Sequence, residues 1–407
     1  MKVLIIGSGG REHALGWRLA QSPAVERLFA VPGNPGIARV ATCLPAGDGS
    51  PAAYLAAAES VDADLTVVGP EAPLVAGVVD AFRARGRAIF GPTAAAAQLE
   101  GSKIHAKRFL EQRNIPTAAF AIAADPTEAR RALDRFTYPL VVKSDGLAAG
   151  KGVVVATDRA SAEAALATLK PPFVIEEFLQ GEEVSFIAVS DGRNIVPLAP
   201  TQDHKALLDG DRGPNTGGMG AYCDAAILTP AQTTDILSRI ICPTIAATGF
   251  TGFLYAGLML TAAGPQVLEF NVRLGDPETQ PIMHRLSTDL APILFAAARG
   301  ELATTHLDWN PGPSVCVVLA SAGYPGSITP GKPIHGIEAA EALGATVFHA
   351  GTRQSPSGIE TAGGRVLGVT ASGPDLAAAI DRTYTAVKAI HFEGMQYRTD
   401  IGRKGLR

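Results

Sequence analysis

The sequence predicts a multidomain protein of the α/β and α+β classes, with three consecutive domains. Residues 1–102 alternate strand-like and helix-like segments, which indicates a parallel sheet covered by helices. Residues 103–310 contain many short strand patterns separated by turns, which is typical of α+β domains with antiparallel sheets. A Trp-Asn-Pro-Gly-Pro breaker at residues 309–313 opens the third domain, residues 311–407.

The N-terminal domain is predicted from apolar runs that end in glycine or proline. Residues 2–6 form a buried strand, and a helix follows the GSGGREH turn to about residue 21. The remaining predicted elements are strands at 28–34, 65–71 and 88–92 and helices at 51–59 and 73–85. Because ligands bind beyond the carboxyl ends of parallel strands, the loops GSGG, PGNPG and GPEAP should form a binding edge.

Short strands dominate the central domain. They are predicted at residues 139–146, 152–157, 172–179, 184–192, 254–261 and 266–272. The third domain begins with a strand at 314–321 and ends with a helix at 374–390, followed by a polar tail.

The composition is that of a well-packed soluble protein, with 47% hydrophobic and 18% charged residues. A net charge of −4 gives no electrostatic support for binding nucleic acid or an anionic membrane. Cys43, Cys223, Cys242 and Cys316 lie far apart and form no CxxC pair, so we expect no zinc site, no disulfides and a cytoplasmic location. The first apolar run is too short for a signal peptide, and no run is long enough to span a bilayer.

The strongest chemical signal lies in residues 268–280, LEFNVRLGDPETQ. Alternation along a strand places Glu269, Asn271 and Arg273 on one face, opposite the apolar residues that begin with Leu268. A carboxylate and an amide oxygen are hard donors suited to Mg²⁺, and a guanidinium can bind a planar anion through two hydrogen bonds. The alternative is a half-buried strand with a polar outer face. Asparagine is unusual in strands and a Gly-Asp-Pro turn follows at once, which favours a metal and anion site.

The turn at residues 7–12, GSGGRE, departs from the dinucleotide fingerprint GxGxxG. Its sixth position is Glu12, and Val31-Pro32 stands where a ribose-binding acid would end the second strand. A glycine turn that opens onto a helix N-terminus still suits a phosphate, and Arg11 adds positive charge. A turn that only connects strand and helix is the alternative. We predict a monophosphate site rather than a dinucleotide site.

Residues 143–152, KSDGLAAGKG, place two lysines around small residues between two strand patterns. Ammonium groups and backbone amides in such a loop can approach phosphate oxygens closely. The loop is not the GxxxxGK[ST] phosphate loop, since Gly152 follows Lys151 and no helix is expected next. A plain flexible hairpin is the alternative, but the two lysines favour a flap over a nucleotide.

Glu176 and Glu177 end a strand pattern, and a second acidic pair, Glu182 and Glu183, follows closely. A linker of this kind can offer backbone groups to an adenine edge and a carboxylate to ribose hydroxyls. The signal is weak alone, because a solvated acidic loop has the same composition.

Residues 203–222, DHKALLDGDRGPNTGGMGAY, are rich in turn formers and charges but have few apolar anchors. That composition predicts a mobile loop that closes over reactants and excludes water. An inert surface loop is the alternative. We assign no proton-transfer role to His204, since a lone histidine is more often structural.

The chain resembles the glycinamide ribonucleotide synthetases of the ATP-grasp superfamily over essentially its whole length. The resemblance rests, in chain order, on GSGGREHAL, GPEAPL, GSKIHAKRFL, VVKSDGLAAGKGV, the 203–222 segment, LEFNVRLGDPETQ, FHAGT and GGRVLGVTA. Leu274 and His105 stand where the family usually has aromatic residues. The resemblance implies an N-terminal pre-ATP-grasp domain, a central ATP-grasp domain with a mobile nucleotide flap subdomain at about 118–185, and a small C-terminal α+β domain.

The resemblance also implies an activity. Members of the family join glycine to 5-phosphoribosylamine in de novo purine biosynthesis, using ATP and Mg²⁺ or Mn²⁺ and passing through glycyl phosphate. Activation of a carboxylate by ATP needs positioned cations and exclusion of water rather than a protein nucleophile. Neither nucleic acid nor a membrane is an expected partner. We expect a monomer that receives phosphoribosylamine by transient handover from the preceding pathway enzyme.

The family's site residues are carried over position by position. Glu269 and Asn271 are expected to hold the metal. The expected ATP-binding residues are Lys103, Lys143, Glu176, Glu177, Leu179 and Glu183. The groups expected to face glycine and the acyl phosphate as catalytic residues are Arg273, Asp203 and Lys205. The residues expected to bind phosphoribosylamine are Gly9, Gly10, Arg11, Glu12, Asn34, Glu71 and Asp276.

Other functions share parts of this pattern. Another ATP-grasp carboxylate–amine ligase or carboxylase would keep the lysines and the metal strand but not the 203–222 segment. A dinucleotide oxidoreductase is disfavoured by the N-terminal turn, and a non-catalytic nucleotide sensor would lack some of the lysines or metal ligands.

Overall fold

The computed structural model describes residues 1–147, 152–303 and 306–406. The first strands are β1 Lys2–Gly7, β2 Arg27–Pro32, β3 Thr42–Cys43, β4 Leu65–Val68 and β5 Ile89–Phe90. They pair in parallel in the order β3-β2-β1-β4-β5, which confirms the predicted parallel sheet. The helices between and after them are α1 Gly10–Leu19, α2 Pro51–Ser60, α3 Glu71–Val75, α4 Val78–Ala84 and α5 Ala94–Gly101.

The prediction of a single helix at residues 73–85 was wrong. The structure has two helices there, because Gly77 adopts a left-handed backbone conformation with φ of 87° that interrupts helical hydrogen bonding. Helix α1 begins inside the predicted glycine turn, with Gly9 as its N-cap residue.

The predicted flap region forms its own small sheet. After α6 Lys103–Gln112 come β6 Phe120–Ala123, α7 Pro126–Leu133, β7 Leu140–Ser144, β8 Val153–Ala156, α8 Arg159–Thr168 and β9 Phe173–Glu177. The strands are antiparallel in the order β6-β9-β7-β8, and Leu140, Phe173 and Ile175 belong to a separate hydrophobic cluster. The middle of the predicted lysine loop, including Lys151, lies outside the described residues.

A nine-stranded sheet joins the central and C-terminal parts. Its strands and two adjoining hairpins comprise β10 Glu182–Asp191, β11 Ile195–Pro197, β12 Thr201–Asp203, β13 Ala206–Leu208, β14 Arg212–Asn215, β15 Gly220–Cys223, β16 Thr251–Thr261, β17 Gly264–Asn271, β18 Ser314–Ala320, β19 Thr346–His349, β20 Thr352–Ser355, β21 Gly358–Thr361 and β22 Arg365–Ser372. The main order is β17-β16-β10-β12-β15-β18-β22-β19, with β11 beside β10. Since β15 pairs with β18, this sheet runs across the predicted domain boundary at residue 310.

The remaining helices are α9 Pro230–Ile236, α10 Cys242–Thr248, α11 Thr279–Arg285, α12 Leu290–Ala298, α13 Ile337–Ala342 and α14 Leu376–Val387. A π-helical turn, Leu237–Ile241, connects α9 to α10. Across the described ranges, every helix is too short or too polar to cross a membrane.

Candidate active site

A cleft of about 440 Å³ lies between the N-terminal sheet, the flap sheet and the nine-stranded sheet. The predicted site residues that border it are Arg11, Glu71, Lys103, Lys143, Glu176, Glu177, Leu179, Glu183, Asp203, Lys205, Glu269, Asn271, Arg273 and Asp276. These residues come from the N-terminal and central parts, and Arg365 adds a side chain from the C-terminal part among the described residues. Gly9, Gly10, Glu12 and Asn34 lie outside this lining.

Strand β17 carries the predicted metal ligands, and its alternation holds from Glu269 onward. Phe270 and Val272 are buried, as predicted for the apolar face. The prediction for Leu268 was wrong: this side chain is only partly buried and borders the cleft. Pairing with β16 skips Leu268, so a β-bulge displaces it and Val267 is buried instead.

Glu269 and Asn271 offer one carboxylate and one amide oxygen to the cleft. Burial alone would raise the pKa of Glu269, but nearby cations, led by Lys205 and Lys143, lower it, so the carboxylate is ionised at neutral pH. Among the described residues, no cluster of three or more His, Cys, Asp or Glu side chains could hold a metal alone. Mg²⁺ commonly takes one or two protein ligands and completes its shell with water and phosphate, so this pair fits Mg²⁺ that arrives with a phosphate ligand.

Arg273 is engaged by protein carboxylates rather than left open to an anion. Its Nη2 donates to Glu100 at 2.6 Å and to the amide oxygen of Asn271 at 3.2 Å, and its Nε donates to Glu71 at 3.2 Å. Burial would lower the pKa of Arg273, but Glu100 and Glu71 raise it. In this state the guanidinium ties the end of β17 to the N-terminal part, and contact with an acyl phosphate would require exchange of these partners.

Two predicted nucleotide lysines connect the flap to the rest of the cleft. Lys103 is the first residue of α6, and its Nζ donates to the carbonyl of Gly146 at 2.8 Å. Lys143 in β7 donates to the carbonyl of Leu268 at 3.2 Å and lies 2.9 Å from Oε1 of Glu176. Two ammonium groups therefore stand where the flap meets β17.

The ATP-linker residues divide into two groups. Glu177 and Leu179 border the cleft, and the Glu177 carboxylate accepts from the backbone N–H of Ala119 at 3.0 Å. Glu176 is only 2% exposed, and its carboxylate turns toward lysines. Its backbone is therefore the part of Glu176 that remains suited to an adenine edge.

Lys205 lies between the predicted ribose acid and the predicted metal ligand. Its Nζ pairs with Glu183 and stands 3.9 Å from Oε1 of Glu269. Burial would lower the pKa of Lys205, but Glu183, Asp203 and Glu269 raise it well above its ordinary value. The side chain is thus a fixed positive charge near the centre of the cleft.

One end of the cleft is anionic. Asp203 and Glu278 are 8% and 4% exposed, and Glu278 accepts from the Ser185 hydroxyl at 3.2 Å. Burial raises the pKa of Asp203 to about 7, and the like charges of Glu278 and Glu183 add to this effect. Two buried carboxylates of this kind suit a small cationic group.

The N-terminus of α1 already faces carboxylates. Glu12 accepts from the backbone N–H of Gly9 at 2.6 Å and pairs with Arg11 at 2.5 Å, and Asp276 accepts from the backbone N–H of Arg11. Gly7, with φ of 131°, leaves room for the Glu12 side chain. These charges disfavour the predicted monophosphate at the turn itself and suit hydroxyl or amine donors better.

Asn34 uses its amide to hold the PGNPG loop in place. Its Nδ2 donates to the carbonyls of Ser8 and His349, both at 2.8 Å, and its Oδ1 accepts from the backbone N–H of Ile37 at 2.8 Å. In this structure Asn34 therefore links the N-terminal part to the C-terminal part.

Residues 203–222 are fastened to the C-terminal tail, residues 398–404. The hydrogen bonds between the two segments include Lys404 Nζ to the Asp203 carbonyl at 2.7 Å, Arg398 to the Ala206 carbonyl at 3.1 Å, the Gly210 N–H to Asp400 at 2.8 Å and the Thr399 N–H to Asp209 at 2.8 Å. Partners almost 200 residues away supply the anchorage that the segment's own composition lacks. The mobility predicted for this loop stays a prediction.

Arg398→Ala should destabilise the protein by about 2–3 kcal/mol, because it leaves a carbonyl and two carboxylates without their cationic partner. The side chain is 1% exposed and contacts Asp211 at 2.7 Å and Asp400 at 2.8 Å. Urea unfolding measures the change. The control Arg299→Ala removes an exposed pair with Glu301 and should leave the unfolding midpoint unchanged. Equal midpoints for both variants would show that the tail does not brace this segment.

Four cleft residues were missed by the sequence analysis. Glu278, Arg365 and Lys107 fall within quoted motifs, LEFNVRLGDPETQ, GGRVLGVTA and GSKIHAKRFL, but the pattern of those motifs gave no reason to single them out. Arg365 donates to the carbonyls of Gly217 and Asp276, both at 2.6 Å. No local pattern marks Glu100 or the role of Lys107, because their partners, Arg273 and Glu176, lie far along the chain.

The chain matches three domains of one family. Residues 1–100 match the N domain of phosphoribosylglycinamide synthetase, residues 101–279 its ATP-grasp (A) domain, and residues 314–404 its C domain.

Curated relatives match over the whole chain. The chain is 49% identical to the phosphoribosylamine–glycine ligase of Pseudomonas aeruginosa, covering 100% of this chain and 98% of the relative. It is 50% identical to that of Allochromatium vinosum, covering 100% and 99%.

Solved structures share the fold. A crystal structure of phosphoribosylamine–glycine ligase from Thermotoga maritima has a TM-score of 0.85 at 35% identity, covering 98% of this chain and 100% of that one. The biotin carboxylase domain of Hydrogenobacter thermophilus 2-oxoglutarate carboxylase has a TM-score of 0.74 at 17% identity, covering 97% and 91%, and shows likeness of fold alone.

Proposed function

The chain belongs to the phosphoribosylglycinamide synthetase family and is an ATP-dependent ligase, and we propose that it joins glycine to 5-phosphoribosylamine through a glycyl phosphate intermediate. The observation that carries this proposal is the set of charged groups gathered in one cleft. Lys103 and Lys143 lie close enough to Glu269 to lower its pKa, and Asp203 and Glu278 line the same cleft as buried carboxylates.

ATP binds between the flap and the nine-stranded sheet in this proposal. Lys103 and Lys143 contact its phosphates, the backbone of the Glu176–Leu179 linker contacts adenine, and Glu183 contacts ribose. Glu269 and Asn271 would hold Mg²⁺, with Mn²⁺ as a substitute, and this ion supplies charge neutralisation for the phosphates when bound. The ionised state of Glu269 and the nearness of Lys143 to the Leu268 carbonyl support this arrangement.

Glycine lies between the anionic end and Lys205. Its ammonium group faces Asp203 and Glu278, which places its carboxylate toward the cationic centre of the cleft. A carboxylate oxygen attacks the γ-phosphorus and ADP leaves. Lys205, and Arg273 if it exchanges its carboxylate partners, stabilise the negative charge of the acyl phosphate. No protein nucleophile is needed, because ATP itself activates the carboxylate.

Phosphoribosylamine approaches from the N-terminal wall, where Arg11, Glu71 and Asp276 border the cleft. The other residues predicted to bind it, Gly9, Gly10, Glu12 and Asn34, lie outside the lining. The amine of phosphoribosylamine attacks the acyl carbon, phosphate leaves, and the departing phosphate takes up the proton that the nitrogen loses. The carboxylates near the start of α1 support binding of hydroxyl and amine groups there. Asn34 contributes by holding its loop rather than by direct contact.

Arg11→Ala should raise the KM for phosphoribosylamine about 10-fold or more while changing the KM for ATP less than about threefold. Arg11 pairs with Glu12 at 2.5 Å, whereas Glu71 lies closer to Arg273, so loss of Arg11 leaves the Glu12 carboxylate without its cation and makes this wall more repulsive to an anionic substrate. Steady-state kinetics with each substrate varied in turn measures the split, and Arg11→Lys, which keeps the charge, is the control. Equal losses for both substrates would assign Arg11 to the fold.

Oxygen transfer tests the glycyl phosphate step. Glycine labelled with ¹⁸O in both carboxylate oxygens should deliver one ¹⁸O to each phosphate released, because the bond between that oxygen and the acyl carbon breaks when the amine attacks. Mass spectrometry of the phosphate measures the transfer. Unlabelled phosphate, or label found in AMP, would contradict the proposed intermediate.

We place this activity in the cytoplasm, where the four free thiols are compatible with a reducing compartment. A monomeric state and handover of phosphoribosylamine from the preceding enzyme remain predictions.

A further inference from the structure

A buried carboxylate bridges two lysines beneath the nucleotide end of the cleft. Oε2 of Glu176 lies 3.0 Å from Nζ of Lys107, and Oε1 lies 2.9 Å from Nζ of Lys143. The side chains of Lys107 and Glu176 are 4% and 2% exposed, and that of Lys143 is 10% exposed. Two positive charges thus share one negative charge in a site with little water.

The two lysines are held differently. Each lysine has a second partner, but the bond of Lys107 is shorter: Lys107 donates to the Thr117 hydroxyl at 2.7 Å, whereas Lys143 donates to the Leu268 carbonyl at 3.2 Å. Thr117 is itself fixed, because its hydroxyl donates to the carbonyl of Val267 in β17 at 2.6 Å. Oε1 of Glu176 makes no aligned hydrogen bond within the described part of the chain, so charge attraction rather than a directed hydrogen bond holds Lys143 on it. Lys143 is therefore the partner that can leave Glu176.

This difference matters when a phosphate binds. If Lys143 turned toward a nucleotide phosphate without another cation nearby, Glu176 would remain as a buried and unpaired carboxylate, which is costly. Lys107 removes that cost because it stays on Glu176. Its pKa, lowered by burial to about 8, leaves it largely protonated at neutral pH.

We propose that Lys107 is a positioning residue for ATP binding: it neutralises Glu176 and so releases Lys143 to the nucleotide phosphates. The proposal rests on the proposed function in taking Lys143 as a phosphate ligand. Lys107 acts through Glu176 and need not touch the nucleotide.

A mutant cycle tests this role through the KM and Kd for ATP. Lys107→Met should raise the KM for ATP about 10-fold or more, because Glu176 then retains Lys143 as its only cation. Adding Glu176→Gln should restore most of that loss, since the neutral amide no longer holds Lys143. A double variant that binds ATP as weakly as Lys107→Met, or more weakly, would overturn the proposal and would indicate direct contact or a packing role for Lys107.

A second comparison tests the proposal even if Lys107→Met does not fold. Glu176→Gln and Lys107→Met/Glu176→Gln should bind ATP with Kd values within about twofold of each other, because Lys107 has no carboxylate to neutralise in either protein. Weaker binding by the double variant would again overturn the proposal. Lys143→Met tests the phosphate contact of Lys143 separately from the positioning role of Lys107. An unchanged Kd for ATP in this folded variant would refute the phosphate contact. A raised Kd would support that contact, and the mutant cycle then tests Lys107.

Discussion

Glu269→Gln should lower kcat/KM for ATP about 1000-fold while the protein stays folded, because the amide keeps the shape of the side chain but loses its charge. The other predicted donor is the amide oxygen of Asn271, so the substitution leaves no carboxylate in the donor pair. The expected signature is a large rise in the Mg²⁺ concentration needed for half-maximal activity. Titration of activity with Mg²⁺ at saturating ATP measures it.

Glu163→Gln is the matched control, since it changes an exposed glutamate on α8 that pairs only with Arg159 among the contacts described for it. It should leave both kcat/KM and the Mg²⁺ titration unchanged. Normal ATP use and an unaltered Mg²⁺ requirement in folded Glu269→Gln would refute the assignment of the metal site to β17.

Asp203→Asn should lower kcat/KM for glycine about 100-fold, because the amide cannot balance the glycine ammonium group. In the unmodified enzyme, kcat/KM for glycine should rise with pH to an apparent pKa of about 7, since Asp203 is protonated and neutral below that value. This rise should disappear in the variant. A pH profile of kcat/KM with glycine varied measures both effects.

Stability gives an independent check on the same group. The pKa of Asp203 is raised from 3.8 to about 7 in the folded protein, so ionisation opposes folding as pH rises between these values. Asp203→Asn should therefore be more stable relative to the unmodified protein at pH 8 than at pH 5. The control Asp381→Asn, an exposed position on α14, should show no pH-dependent difference. If kcat/KM for glycine in Asp203→Asn kept the pH dependence of the unmodified enzyme, the ionised Asp203 carboxylate would have no role in glycine binding.

The sequence predicted those features that leave a local mark. Apolar runs ending in glycine or proline identified the parallel N-terminal sheet, and alternation identified the face that carries Glu269 and Asn271. The apolar run at 139–146 predicted a strand that contains Lys143, and that strand borders the cleft. In each case the relevant interaction is between neighbours in sequence, or follows from the period of the strand.

The features that escaped prediction depend on partners far along the chain. A β-bulge opposite β16 displaces Leu268 from the apolar face, and the sequence of β17 contains no residue that predicts this bulge. The tail at 398–404 anchors the 203–222 segment, whose own composition indicates mobility. Glu100 holds Arg273 across more than 170 residues, so alternation placed Arg273 on the right face but could not reveal its partners.

The most direct test is ADP release with ATP, Mg²⁺, glycine and freshly generated phosphoribosylamine, repeated with each substrate omitted. ADP should form only when glycine and phosphoribosylamine are both present, with one glycinamide ribonucleotide for each ADP. ADP release that is indifferent to both substrates would leave the ATP site in place but would contradict the proposed ligation and require another carboxylate and another amine.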